Sequence, residues 1–179
     1  MNVKEPWGTD TPWKNSTAFF TFLRGCLRKA WSRHPVKLNL IKKLRKQITN
    51  PNHKGNKPTV WGATCSMCNN DFVLKDINVD HITPAGQLNC TEDIQGFVER
   101  LLYVTEDDLR LVCRDCNSAL AFSDKYGVTY EEALYTKQAI SICKAKQDIK
   151  WLEERGITPA KNQAGRRAQI IDVLRLEGR

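Results

Sequence analysis

No stretch of these 179 residues is apolar for long enough to cross a bilayer. The opening segment, MNVKEPWGTD, lacks the basic-then-apolar layout of a secretory leader. Both absences point to a soluble, intracellular protein. Internal repeats and low-complexity tracts are also missing. Seven cysteines are present, an odd number, and a reducing compartment does not sustain disulfides. A disulfide framework is therefore excluded, and the cysteines need another use. Histidine is scarce, at three residues. Acidic residues are nearly absent from the first third of the chain.

What is present is unevenly placed. The net charge is +8, but residues 1–60 carry 13 Lys+Arg against 2 Asp+Glu, a balance of +11. Residues 61–127 are acidic, with 5 against 11, and residues 128–179 return to +3. A basic arm suits a polyanion such as nucleic acid, and an acidic middle suits cations. The apolar fraction, 41%, allows a modest core.

Periodicity organises the chain into three parts. Residues 1–58 form a basic helical arm. Ser16 or Thr17 caps a helix whose apolar side carries Phe19, Phe20, Leu23, Cys26, Leu27, Ala30 and Trp31, with Arg24, Arg28 and Lys29 opposite. Pro35 interrupts it. A second helix places Leu40, Ile41, Leu44 and Ile48 inside and Lys42, Lys43, Arg45 and Lys46 outside. NPNHKGNKP (50–58) reads as a linker. His34 and His53 lie in polar stretches and read as surface residues. Residues 59–127 form the centre, with strands at 77–82 and 109–113, a helix at 91–104 between them and another from Arg114. Residues 128–179 form a helical extension. Thr129 and Glu132 make a capping box opening a helix that runs towards Arg155, Gly156 and Pro159 close it, and 164–176 is a last helix. The expected class is α+β, mostly helical.

Cys65-Ser-Met-Cys68 and Cys113-Arg-Asp-Cys116 are two Cys-x-x-Cys turns. A two-residue spacer lets both sulfurs face one ion, and two such turns complete the tetrahedral S4 set of structural zinc. The alternatives are a redox pair or buried thiols, and two matched turns favour zinc. A closed S4 site leaves no position for substrate, so this zinc is structural. Cys26 falls on the apolar helix side and reads as core; Cys90 and Cys143 have no partner spacing.

Between the turns lies VDHITPAGQLN, from Val79 to Asn89. A strand ends at Asp80-His81, because Thr83-Pro84-Ala85-Gly86 follows. Asn117 stands directly after Cys116, at the start of a helix that zinc would anchor. A carboxylate and an amide oxygen are hard ligands suited to Mg²⁺ or Mn²⁺. A neutral imidazole beside them is a base near pH 7.

The segments VDHITPAGQLN and TEDDLRLVCRDCN together resemble the HNH endonuclease family, and within it phage-encoded, homing-type members with a ββα-metal finger. The likeness covers roughly residues 60–127. It implies a nuclease hydrolysing DNA phosphodiester bonds to 5′-phosphate and 3′-hydroxyl ends, in the cytoplasm of a phage-infected bacterial host. In that resemblance His81 is the general base and Asp80 a ligand of catalytic Mg²⁺ or Mn²⁺. Asn117 stands where many members have a second histidine. Asp108 replaces an asparagine that braces the loop; an ionised carboxylate accepts hydrogen bonds but cannot donate them, so the bracing comes into question. Thr105 to Asp108 alternatively reads as a simple capped turn. Lys42, Lys43, Arg45 and Lys46 are the expected contacts to the DNA backbone, with Arg166 and Arg167 as a second set. The expected partner is DNA, double-stranded, no membrane is involved, and cutting both strands would take a homodimer or a second event. The rival reading is a zinc-stabilised DNA-binding module without catalysis.

Overall fold

The computed structural model describes residues 5–52 and 57–178. It is α+β and predominantly helical, with seven α-helices and two small sheets among the described residues. No helix among them is long and apolar enough to cross a membrane. The chain divides into two compact units, residues 1–112 and 113–179.

The first unit opens with two helices, α1 (Ser16–Ser32) and α2 (Pro35–Leu44). The α1 cap is Asn15, whose side chain accepts from the Ala18 amide at 2.9 Å, rather than Ser16 or Thr17. Asparagine one residue earlier already satisfies an orphan amide of the first turn. Phe20 and Trp31 are buried from α1, and Leu40 from α2. Cys26 and Ala30 turn out exposed, so the buried stripe is narrower than the apolar pattern suggested. Arg24 is the converse. It is half-buried, and its guanidinium reaches the Leu88 carbonyl at 3.3 Å.

Helix α2 stops at Leu44 because Arg45 turns extended, at ψ 143°. Lys46 and Ile48, expected on the helix, lie instead on β1 (Lys46–Thr49). Strand β1 pairs antiparallel with β2 (Thr59–Thr64), which pairs antiparallel with β3 (Asp71–Val73). Strands β1 and β2 therefore form a hairpin, and the Asn50 amide beyond β1 donates to the Pro58 carbonyl before β2 at 2.9 Å. His53 lies outside the described residues. Gly62 sits where the sheet is tightest: a Cβ there would collide with the Ile48 side chain and the Phe72 carbonyl.

A 3₁₀ turn (Leu74–Asp76) leads into β4 (Ile77–His81), which pairs with β5 (Leu109–Cys113). Between them run α3 (Asp93–Leu102) and a second 3₁₀ turn (Glu106–Asp108). Both strands and α3 lie close to their expected positions. Phe97 and Leu101 of α3, Leu109 and Leu111 of β5, Leu88 and Ala63 meet Phe20, Trp31 and Leu40 in one core.

The second unit is all-helical. Helix α4 (Arg114–Tyr126) ends at Gly127, whose φ of 64° is the left-handed cap that glycine adopts without strain. Thr129 caps α5 (Tyr130–Lys144), accepting from the Glu132 amide at 3.2 Å. The expected single helix to Arg155 is two. Lys146 takes a left-handed φ of 56° after α5, and α6 (Asp148–Glu153) begins afresh. The break lets Leu152 pack with Ala139, Cys143, Ile170 and Leu174. The last two come from α7 (Gln163–Glu177).

Arg166 on α7 is held in this unit rather than offered to a ligand. It donates to Asp148 at 2.7 Å and to the Ala160 and Lys161 carbonyls at 3.0 and 3.2 Å. The paired side chains are only 16% and 7% exposed, which corrects the expectation of a surface phosphate contact. The Arg166 hydrogen bond holds the Asp148 carboxyl below its usual range. Replacing Arg166 by methionine leaves a buried carboxylate unpaired, and urea unfolding is expected to show a loss of about 3–5 kcal/mol. Because the pKa of Asp148 is depressed, the pair's contribution is present above the ordinary value of 3.8 and fades as pH falls below it. The loss caused by Arg166→Met is therefore expected to shrink in acid.

Candidate metal centre and catalytic site

Cys65 lies just after β2 and starts a tight turn. The Asn69 amide returns to the Cys65 carbonyl at 2.9 Å, and Asn69 itself takes a left-handed φ of 57°. Within the turn the Met67 amide donates to the Cys65 sulfur at 3.4 Å. Cys113 closes β5 and caps α4, and the Cys116 amide donates to its sulfur at 3.4 Å. Each turn thus repeats one device: a backbone N–H aimed at the first sulfur. Such bonds, and the positive end of α4, favour thiolate over thiol.

The sulfurs of Cys65, Cys68, Cys113 and Cys116 all lie within 4.8 Å of one another. A tetrahedral zinc with Zn–S of about 2.3 Å needs sulfurs about 3.8 Å apart. Three of the four residues are buried and one is half-buried. Among the described residues this is the one cluster of three or more His, Cys, Asp or Glu side chains that could hold a metal ion. Four soft donors, all protein-supplied, suit a structural metal such as zinc and leave it no open position.

Strand β4 delivers Asp80 and His81. His81 is half-buried, and its Nε2 lies 3.1 Å from the Leu101 carbonyl at the end of α3. A carbonyl only accepts, so Nε2 carries the proton and Nδ1 is left as the basic nitrogen. The Trp31 ring packs on the imidazole with centroids 4.3 Å apart. Burial is the main influence on His81 and lowers its pKa; the Leu101 carbonyl and Asp80 oppose it, and Arg28 and His34 assist. The result is an imidazole held neutral. His34 is not the simple surface residue expected. It is half-buried, packs on the other neighbour of this stack, Trp31, at 5.3 Å, and its Nδ1 is buried without a hydrogen bond among the described residues.

Asp80 is engaged. Its Oδ2 accepts from Arg110 Nε at 2.9 Å, and Arg110 also reaches Met67 Sδ at 3.6 Å. Among the described residues its other oxygen, Oδ1, has no hydrogen bond shown. Asn117 is half-buried on α4, in the turn that Cys113 and Cys116 begin.

Asp108 is a structural brace. Its carboxylate accepts from the Thr105 amide at 2.7 Å and the Thr105 hydroxyl at 2.9 Å, completing a capping box. Those bonds hold its pKa below the usual value. Its carbonyl accepts from the Ile82 amide at 2.9 Å, which fixes the chain just after His81. Accepting bonds alone is enough to brace this loop. Asp108, His81, Glu99, Arg100 and the 88%-exposed Tyr103 line a cavity of about 290 Å³.

The expected DNA contacts Lys42, Lys43, Arg45 and Lys46 are all exposed, as is Arg167. Lys43 pairs with Glu106 at 2.7 Å and Lys46 with Asp71 at 2.8 Å. Exposed pairs of this kind contribute little and exchange readily. Sequence reasoning missed three groups: Trp31, read only as core; the Leu101 carbonyl, which no side-chain pattern reveals; and Arg110, whose signal was a cation in the strand after an isolated carboxylate.

No known protein family matches the chain, and neither a curated protein nor a solved structure matches it.

Proposed function

We propose that the chain is a metal-dependent endonuclease of the HNH type, hydrolysing DNA phosphodiester bonds. The observation that carries this reading is the setting of His81. Its Nε2 is committed to the Leu101 carbonyl, its ring is pressed on Trp31 and its charge is suppressed by burial. A surface histidine at a strand end needs none of these. The order β4, β5, α4 with paired cysteines at the β5–α4 junction supports the same reading.

In this mechanism His81 Nδ1 accepts a proton from the attacking water. Asp80, through its remaining oxygen, and Asn117 are the residues that would hold Mg²⁺ or Mn²⁺. A cation bound there supplies charge neutralisation at the scissile phosphate and the departing 3′ oxygen. Lys42, Lys43, Arg45 and Arg167 contact phosphates, which positions the duplex without reading its sequence. The simplest product is a nick with 5′-phosphate and 3′-hydroxyl ends, and cutting both strands takes two copies or two events.

A second reading, a zinc-stabilised DNA-binding module, is favoured by the Asp80–Arg110 pair, since a neighbouring cation lowers a carboxylate's affinity for metal. Supercoiled plasmid incubated with the protein and Mg²⁺ or Mn²⁺ separates the two. The endonuclease yields nicked circles that EDTA suppresses. The binding module yields a salt-sensitive mobility shift and no cuts.

A further inference from the structure

Trp61 is the anomaly of the three-stranded sheet. It lies on β2, the central strand, and is still 47% exposed. Its neighbours are sorted. Side chains alternate along a strand, so Trp61 shares its face with Thr59 and Ala63 of β2, with Phe72 of β3, with Gln47 and Thr49 of β1, and with Arg45 where β1 begins. Ala63 is buried and Phe72 half-buried at one end of this face; Arg45, Gln47, Thr49 and Thr59, around Trp61, are exposed. The sheet's carboxylate, Asp71, opposes Thr64, two positions from Gly62, and so belongs to the other face, with Lys46 bound to it at 2.8 Å. The exposed end of the Trp61 face therefore carries a cation, an amide, two hydroxyls and a large π-surface, and no carboxylate at any of these positions. Arg45 extends over the indole, its guanidinium carbon 4.5 Å from the ring centroid.

We propose that this face is a stacking site for an unpaired nucleobase, with Trp61 as the platform and Arg45 as the phosphate contact. Each feature has a counterpart in single-stranded nucleic acid. The indole matches the π-face that every base exposes once unpaired. Arg45 sits in the segment of the chain with the +11 balance and meets the adjoining phosphate. Gln47, Thr49 and Thr59 donate hydrogen bonds to sugar or phosphate oxygens. Bases inside a duplex are already stacked, so the face selects single-stranded or flipped nucleotides. The site rests on the proposed nucleic-acid partner and refines its substrate to DNA with an unpaired stretch; it does not depend on cleavage.

The test is binding in EDTA, so that catalysis plays no part. The full-length protein is titrated with a fluorescent oligothymidylate of about 15 nucleotides and with a mixed-sequence duplex of equal length. Trp61→Ala is expected to weaken oligothymidylate binding about 5- to 150-fold and duplex binding less than about twofold. Trp61→Phe is expected to restore most of the single-strand affinity, which a packing defect would not allow. Arg45→Ala is expected to flatten the salt dependence by roughly 0.7 in slope, whereas Trp61→Ala leaves the slope unchanged. Equal losses on both DNAs, no loss on either, or no binding of the oligothymidylate by the wild type overturn the proposal. So does a change in self-association of Trp61→Ala without DNA, because the face would then cover a second copy. A chain that binds the oligothymidylate through Trp61 yet never nicks plasmid keeps this site and loses only the endonuclease reading.

Discussion

Removing the metal is expected to unfold the protein around the four cysteines. Thiolates within 4.8 Å of each other repel when no cation lies among them. Structural zinc in small domains contributes on the order of 10–16 kcal/mol of apparent binding free energy near neutral pH. A whole domain is stable by only about 5–15 kcal/mol. A metal held by the four sulfurs would therefore outweigh any other single contribution to stability in this chain. Elemental analysis of purified protein is expected to give one zinc per chain. Cys65→Ser and Cys113→Ser are each expected to lose it, together with the cooperative thermal transition. Because the ligands must be deprotonated, acid is expected to release the zinc before it protonates most carboxylates. A chain that carries no zinc as purified and melts unchanged after prolonged chelation would show that the sulfurs are merely neighbours.

The second large effect concerns His81. In plasmid nicking, His81→Ala is expected to lower the rate by about 10²–10⁴, the usual contribution of a positioned general base. Zinc content should hardly move, and the melting temperature should fall only modestly, since the half-exposed imidazole contributes one backbone hydrogen bond and its packing on Trp31. The pH profile is a separate check. The base works when neutral, and burial lowers its pKa, so the rate should rise through a value below the ordinary 6.5 and level off. The same shift has a consequence for stability. The unfolded chain binds the proton more tightly than the folded one. Stability from this residue is thus complete above 6.5 and declines as pH falls towards the lowered folded value. A variant lacking His81 that nicks at the wild-type rate would remove the residue from the chemistry.

Some of this was legible because the signal was local. The Cys-x-x-Cys spacing, the Asp-His pair before Thr-Pro, the 105–108 cap and the alternation of Leu109, Leu111 and Cys113 each declare themselves within a few residues. Helix α5 was likewise marked by its Thr129–Glu132 cap, and α3 and α7 by apolar period. Strand β1 was not, because KQIT satisfies a helical pattern as well as a strand, and pairing with β2 decides the matter. Cys26 and Ala30 fit the apolar side of α1, yet only a narrower stripe found a partner. Arg166 looked like any exposed cation until α6 supplied Asp148.

The amino-acid sequence by itself determined the candidate ligand set, four sulfurs in two turns, and the order of the elements that carry Asp80, His81 and Asn117. Those are matters of spacing and of residue chemistry. Tertiary structure alone decided which groups surround the imidazole and which cation occupies Asp80. Trp31 lies 50 residues from His81 in the chain and Leu101 lies 20 away, and only the closing of one core around Phe97, Leu101 and Trp31 brings them together. Burial, and with it the protonation state of the imidazole, is a property of that enclosure and of no short segment.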